Sequence, residues 1–93
     1  MKPWDETKNT INQADHGISF ETAYRVFDDE FSLTREDYID ENGEMRYQTI
    51  GVVEGVPILA AHVERVIDGV EAPWLISARK ADKYEETQYF RRR

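Results

Sequence analysis

The chain has 93 residues, no Cys, and 19 acidic against 12 basic side chains, for a formal net charge of −7. Disulfide frameworks and thiolate chemistry are excluded, and the length predicts one domain near the small end of what buries its own core. A third of the residues are charged, but 12% are aromatic, too many for a disordered acidic tail, and the longest apolar run, Val56 to Ala61, is far short of the roughly 20 residues of a membrane helix.

The first residues, Met1-Lys2-Pro3-Trp4-Asp5-Glu6, lack the apolar core of a secretory signal. With no Cys, the expected setting is reducing and cytoplasmic. From Asp5 to His16 the chain is polar, with Ile11 and Ala14 at helical spacing, and it stops at Gly17. This predicts a first helix, because glycine readily adopts the left-handed conformation that ends one. Ser19 caps a predicted second helix with Glu21 in its first turn and Phe20, Ala23, Tyr24 and Phe27 at i, i+3, i+4 and i+7. Ile18 is placed to staple onto Ala23.

Phe31 to Ile39 is short, acidic and partly alternating, and the Asn42-Gly43 pair in the following Asp40-Glu41-Asn42-Gly43-Glu44 favours a tight hairpin turn. Arg46 to Val53, Ile58 to Val66 and Trp74 to Arg79 read as strands separated by Glu54-Gly55 and Asp68-Gly69 turns. Such connections are too short for crossover helices, so neighbouring strands pair antiparallel. Asp82, with Glu85 three residues on, opens a short C-terminal helix containing Tyr84 and Tyr89 and fraying at Arg91 to Arg93. The expected fold is α+β, a single domain over residues 1–93, with two N-terminal helices on an antiparallel sheet of about four strands and a short C-terminal helix.

Charge is unevenly distributed. Residues 28–44 hold eight acids and one base and account for the whole −7, whereas residues 74–93 hold six bases and three acids. The net charge therefore does not exclude a nucleic-acid partner, whose phosphates are bound by Lys and Arg. Asp37, Asp40, Asn42 and Glu44 depart from calcium-loop spacing and read as a solvated hairpin tip. His62 reads as a satisfied half-buried histidine. His16 at the end of the first helix reads first as a residue favoured there by the helix dipole, although an imidazole also titrates near neutrality. Two isolated histidines without Cys form no recognisable transition-metal motif. Arg65 and Arg79, each ending a strand, would suit bidentate phosphate binding if neighbouring strands brought them together.

Taken together, Trp4-Asp5, Lys8-Asn9, Asn12, His16-Gly17-Ile18-Ser19-Phe20-Glu21, Ala23, Val26-Phe27, Arg46, Gln48, Ile50-Gly51, Glu64-Arg65, Ile76-Ser77-Ala78-Arg79-Lys80-Ala81, Glu85 and Tyr89 resemble the BrnT ribonuclease toxins. These are the toxin halves of bacterial type II toxin–antitoxin modules. The resemblance implies a RelE-like fold and an endoribonuclease that needs no metal or other cofactor, cuts RNA through its own 2′-OH and inhibits translation. It also implies neutralisation by a BrnA-type antitoxin, whose ribbon-helix-helix domain brings the complex to operator DNA, and no membrane partner. On this resemblance His16 is the proton-transfer group and Arg65 and Arg79 stabilise phosphoryl charge. Lys8 and Lys80 hold the RNA backbone, and Tyr89 stacks or donates its hydroxyl. Relatives commonly carry Arg where this chain has Trp74 and a basic residue where it has Asp15, and these departures suit a second reading: a catalytically weak antitoxin-binding protein and co-repressor.

Overall fold

A computed structural model describes residues 1–91. The elements run α1 (Glu6–His16), α2 (Phe20–Ala23) continued by a 3-10 turn (Tyr24–Asp28), β1 (Leu33–Ile39), β2 (Met45–Val53), β3 (Val56–Ile67), β4 (Val70–Lys80) and α3 (Lys83–Arg91). The fold class is α+β, with one antiparallel sheet in the order β1-β2-β3-β4 and a C-terminal helix.

The first helix starts where Asp5 accepts the Thr7 and Lys8 amides at 2.8 and 3.2 Å and stops at Gly17, whose φ of 71° only glycine adopts without strain. Its buried face is not the apolar one. Ile11 is 55% exposed, and the helix turns Asn9 and Asn12 inward instead. Asn9 accepts the Phe20 amide at 2.8 Å and donates to Glu21 at 2.9 Å. Asn12 accepts the Ala78 amide at 3.0 Å and donates to the carbonyls of Ala78 and Ile18 at 2.9 and 3.0 Å. Its carboxamide thus pairs the outward-facing backbone of β4 as another strand would, and the Pro3 carbonyl does likewise for the Leu75 amide.

The second N-terminal helix expected from Phe20 to Phe27 is only partly α-helical. After one α turn capped by Ser19 it tightens into the 3-10 turn. The reason is close packing: a Cβ on Gly51 of β2 would lie 2.8 Å from both Cβ and O of Val26, so the chain presses its backbone onto bare sheet backbone.

Two hairpins have two-residue turns, Glu54-Gly55 and Asp68-Gly69, with positive φ at both positions, which matches the twist of the flanking strands. The first hairpin differs from its expected form. Gly43 alone has positive φ, and Asp40 organises the loop by accepting the Asn42 and Glu44 amides at 2.9 and 3.0 Å. Glu41, Asn42 and Gly43 at the tip are exposed as expected, whereas Asp40 is tied down, since it also accepts from Arg46 at 3.0 Å and its side chain is only 7% exposed.

Alternation gives the sheet two faces. Trp4, Ile18, Phe20, Ala23 and Val26 pack on Val53, Ile58, Ala60, Leu75 and Ala78 to form the larger core. A bulge at Ile76, between the pairs Ala61–Ser77 and His62–Leu75, keeps Leu75 and Ala78 on this side. The opposite face holds Ile50 and Leu59, covered by Tyr89 of α3.

Candidate nucleic-acid interface

On the face that carries α3, the registers line up Arg35 of β1 opposite Gln48 of β2, Arg46 on the same side of β2, Arg65 of β3 opposite Ala72, and Arg79 of β4 opposite Leu59. Period-two alternation sends all four arginines to one side. Trp74 and Ser77 of β4 share it. Trp74 lies under the Arg65 guanidinium, 5.1 Å from ring centroid to Cζ.

Each arginine is held by a group of the chain itself. Arg79 makes a two-bond contact with Glu85 at 2.8 and 2.9 Å, and Arg35 approaches the same carboxylate at 3.8 Å while donating to Gln48 at 2.9 Å. Glu85 also closes the capping box of α3, accepting the Asp82 amide while Asp82 accepts the Glu85 amide, both at 2.8 Å. The Arg79 hydrogen bonds hold the Glu85 carboxyl below the usual carboxylate range, against the opposing effect of its burial. Arg65 donates to Glu44 at 3.0 and 3.2 Å, and Arg46 to Asp40. Part of the acidic segment is thus engaged in fixing the arginine row.

The six candidate residues fall into three groups. Arg65, Arg79 and Tyr89 belong to the α3 side. Lys8 and His16 line a shallow groove with Ile11, Asn12, Asp15, Ile76 and Ser77 along the rim of β4. Lys80, opposite Ile58, faces the helix side and lines a separate groove with Gln13, Gly17 and Ser19. Arg65 and Arg79 share a face but not a point: Arg65 lies six residues beyond the Leu59 partner of Arg79, so their Cα atoms are about 20 Å apart. Ser77 connects the first two of these groups, since it lines the His16 groove and lies two residues from Arg79 on the same face.

Tyr89 is 1% exposed and its hydroxyl donates to Asp29, which also accepts the Val52 amide at 2.8 Å. The stacking or hydroxyl contact with RNA expected of Tyr89 is unavailable while α3 is docked. Sequence reading passed over Arg35 and Glu85 as members of the site. The signal for Arg35 was its alternation with Leu33, obscured by the acids around it. Among the described residues, no group of three or more His, Asp or Glu side chains is arranged to hold a metal ion.

A family model for the ribonuclease toxin BrnT of type II toxin–antitoxin systems matches residues 4–85. The chain belongs to the BrnT family. No curated protein matches it. The match takes in α1, the whole sheet and the first turn of α3, so every candidate residue of this BrnT family member except Tyr89 lies inside it. Membership implies an antitoxin partner, and no described helix is long and apolar enough to cross a membrane.

His62 lies on the opposite face, 3% exposed, with Nε2 at 2.8 Å from the Thr49 hydroxyl and Nδ1 at 3.2 Å from Glu64. Burial pushes its pKa down to about 4. The unfolded chain therefore binds a proton at this residue from about pH 6.5 downward while the folded one does not. Its contribution to stability is complete above about pH 6.5 and is lost as pH falls towards 4. Glu64, whose pKa is raised by burial and by Glu71, opposes this in the lower part of that window. Urea unfolding between pH 7 and 5 should show stability falling with pH, and His62→Gln should flatten that slope.

Proposed function

We propose that the chain is the toxin of its module and cleaves RNA without a metal. The attacking group is the RNA 2′-OH, and the products are a 2′,3′-cyclic phosphate and a 5′-OH. The observation that carries this reading is the row of four arginines on the α3 face, joined through Ser77 to the groove of His16 and Lys8 in a chain of the ribonuclease toxin family.

The chemistry follows from what the reaction demands. A strand crossing the rim of β4 at Ser77 meets Arg79 on one side and the His16 imidazole on the other. Arg79 stabilises the extra charge that develops on the phosphoryl oxygens. His16 takes the proton from the 2′-OH or returns one to the leaving oxygen. Lys8 holds an adjoining phosphate. Lys80, on the far side of β4, contacts backbone beyond the cleavage point. Arg65, over the Trp74 ring, serves as a remote phosphate anchor in place of the role beside Arg79 given by the resemblance. The carboxylates that hold these arginines are exchanged for phosphates on binding, so RNA affinity falls with rising salt.

Neutralisation falls to a BrnA-type antitoxin with a ribbon-helix-helix domain, and the antiparallel sheet with α1 and α2 on one face and α3 on the other supports a RelE-like classification. Purified chain incubated with single-stranded RNA in excess EDTA should yield cyclic-phosphate ends, and expression without antitoxin should halt translation. Absence of cleavage by well-folded protein would instead favour the antitoxin-binding co-repressor suggested by Trp74 and Asp15.

A further inference from the structure

The helix-covered face of the sheet is covered only in part. Beyond Phe27 it opens into a cleft of about 360 Å³ lined by Phe27, Thr34, Tyr47, His62, Glu64, Glu71 and Pro73. Three rings shape it: His62 stacks on Tyr47 at 5.6 Å with 19° between the planes, and Phe27 meets His62 edge-on at 5.0 Å. A chain of hydrogen bonds from Thr34 through Thr49 to His62, at 2.7 and 2.8 Å, fixes the imidazole. The ring wall is therefore preformed.

Two carboxylates face this wall with no Lys or Arg ion pair among the described residues. Glu64 pairs with Pro73 and Glu71 with Val66, which makes the acids diagonal neighbours on adjacent strands. Glu64 contacts the His62 imidazole, and none of the lining residues is Lys or Arg. Asp28 adds to the negative field, because it and Glu64 both raise the pKa of the nearby Tyr24 hydroxyl. Two like charges beside aromatic rings are unfavourable alone and become favourable when a cation enters between them. A planar group that stacks on a ring while donating in-plane hydrogen bonds to a carboxylate is a guanidinium rather than a spherical ammonium. A nucleotide fits less well, since its phosphate would meet Glu64, Glu71 and Asp28.

We propose that this cleft is a second recognition site, separate from the arginine row, and takes an arginine side chain of the antitoxin. The proposal rests on the family's antitoxin partner and not on RNA cleavage, so failure of either leaves the other standing. Its location across the sheet from Arg79 means that the antitoxin can grip the chain without displacing the carboxylates that hold the arginines.

The test is titration of the full chain with L-argininamide, followed through the NMR signals of Phe27, Tyr47 and His62. Saturable shifts confined to these residues are expected. Citrullinamide, the uncharged isostere, should bind at least about tenfold more weakly, as should argininamide to the Glu64→Gln/Glu71→Gln variant. Both acids are exposed enough that this variant should keep its fold, which far-ultraviolet circular dichroism checks. Absence of saturable shifts, equal binding of citrullinamide, or undiminished binding by the double variant would overturn the site. Saturable binding of cytidine monophosphate in preference to argininamide would make it a nucleotide site. Glu64→Lys should weaken the complex with the antitoxin encoded beside the toxin gene by at least about tenfold, and unchanged affinity would overturn the choice of partner.

Discussion

Arg79→Ala should lower RNA cleavage by at least about a hundredfold and destabilise the fold by about 1–2 kcal/mol, because one guanidinium serves both purposes and is itself partly screened by solvent. Its partner Glu85 has a side chain only 6% exposed, and removing Arg79 leaves that carboxylate with the Asp82 amide and a longer contact to Arg35. Urea unfolding measures the structural part. The catalytic part is isolated by Glu85→Gln, which keeps an acceptor for the Asp82 amide and releases Arg79. That variant should lose stability yet retain cleavage per folded molecule, or exceed the wild type, if phosphate competes with Glu85 for the guanidinium. Arg79→Lys keeps the charge without the planar two-bond geometry and should fall between wild type and alanine on both measures. Full cleavage by folded Arg79→Ala would remove Arg79 from the mechanism.

Asn12→Ala should cost about 3 kcal/mol, an unusually large effect for a polar helix residue in so small a protein. The substitution deletes three hydrogen bonds at 2.9 to 3.0 Å and strands both the N–H and the C=O of Ala78, which is 1% exposed. Unsatisfied buried backbone groups carry their full desolvation cost, and neither Ala nor Leu at position 12 relieves it. Asn12→Asp should fare no better, since a carboxylate accepts from the Ala78 amide but faces two carbonyls with no donor. Amide hydrogen exchange supplies the local readout: Ala78 should lose protection together with α1. Because α1 carries His16 and Lys8, cleavage should fall along with it. A change below about 1 kcal/mol would show that water replaces the side chain at this edge.

Local chemistry made much of the fold legible. Asp5 and Gly17 bound the first helix, Asp82 and Glu85 open the last, and the Glu54-Gly55 and Asp68-Gly69 turns have the residue types their backbone needs. Period-two alternation along Ile58 to Val66 suffices to put His62 and Arg65 on opposite faces, as they are in the structure. Spacing misled in two places. Ile11 and Ala14 marked a helix but not its buried side, since the asparagines that bury have their partners in β4 and α2, far along the chain. Phe20 to Phe27 has a helical repeat, but Gly51 admits the backbone of Val26 so closely that the chain tightens after one α turn.

The site divides in the same way. The family motifs singled out His16, Arg65 and Arg79 because each lies in or beside a short run of distinctive residues. Nothing in those runs showed that Arg79 and Lys80, adjacent in sequence, face opposite sides of β4, or that Tyr89 lies in the core against Asp29. Arg35 and Glu85, fifty residues apart in the chain, meet only across the sheet.

By itself the sequence determined the order of the elements, the caps of the first and last helices and the family, since all three depend on residues within a turn or two of one another. Tertiary structure decided the use of the negative charge. Eight acids in residues 28–44 account for the whole net charge, and of these Asp40 and Glu44 reach the arginine row and Asp29 locks α3 to the sheet. Coulomb attraction depends on distance in space, which strand register sets and composition does not contain. The net charge of −7 is therefore a sum over groups with separate tasks: some hold arginines in place, and two others, Glu64 and Glu71, line a cleft shaped for an arginine from outside.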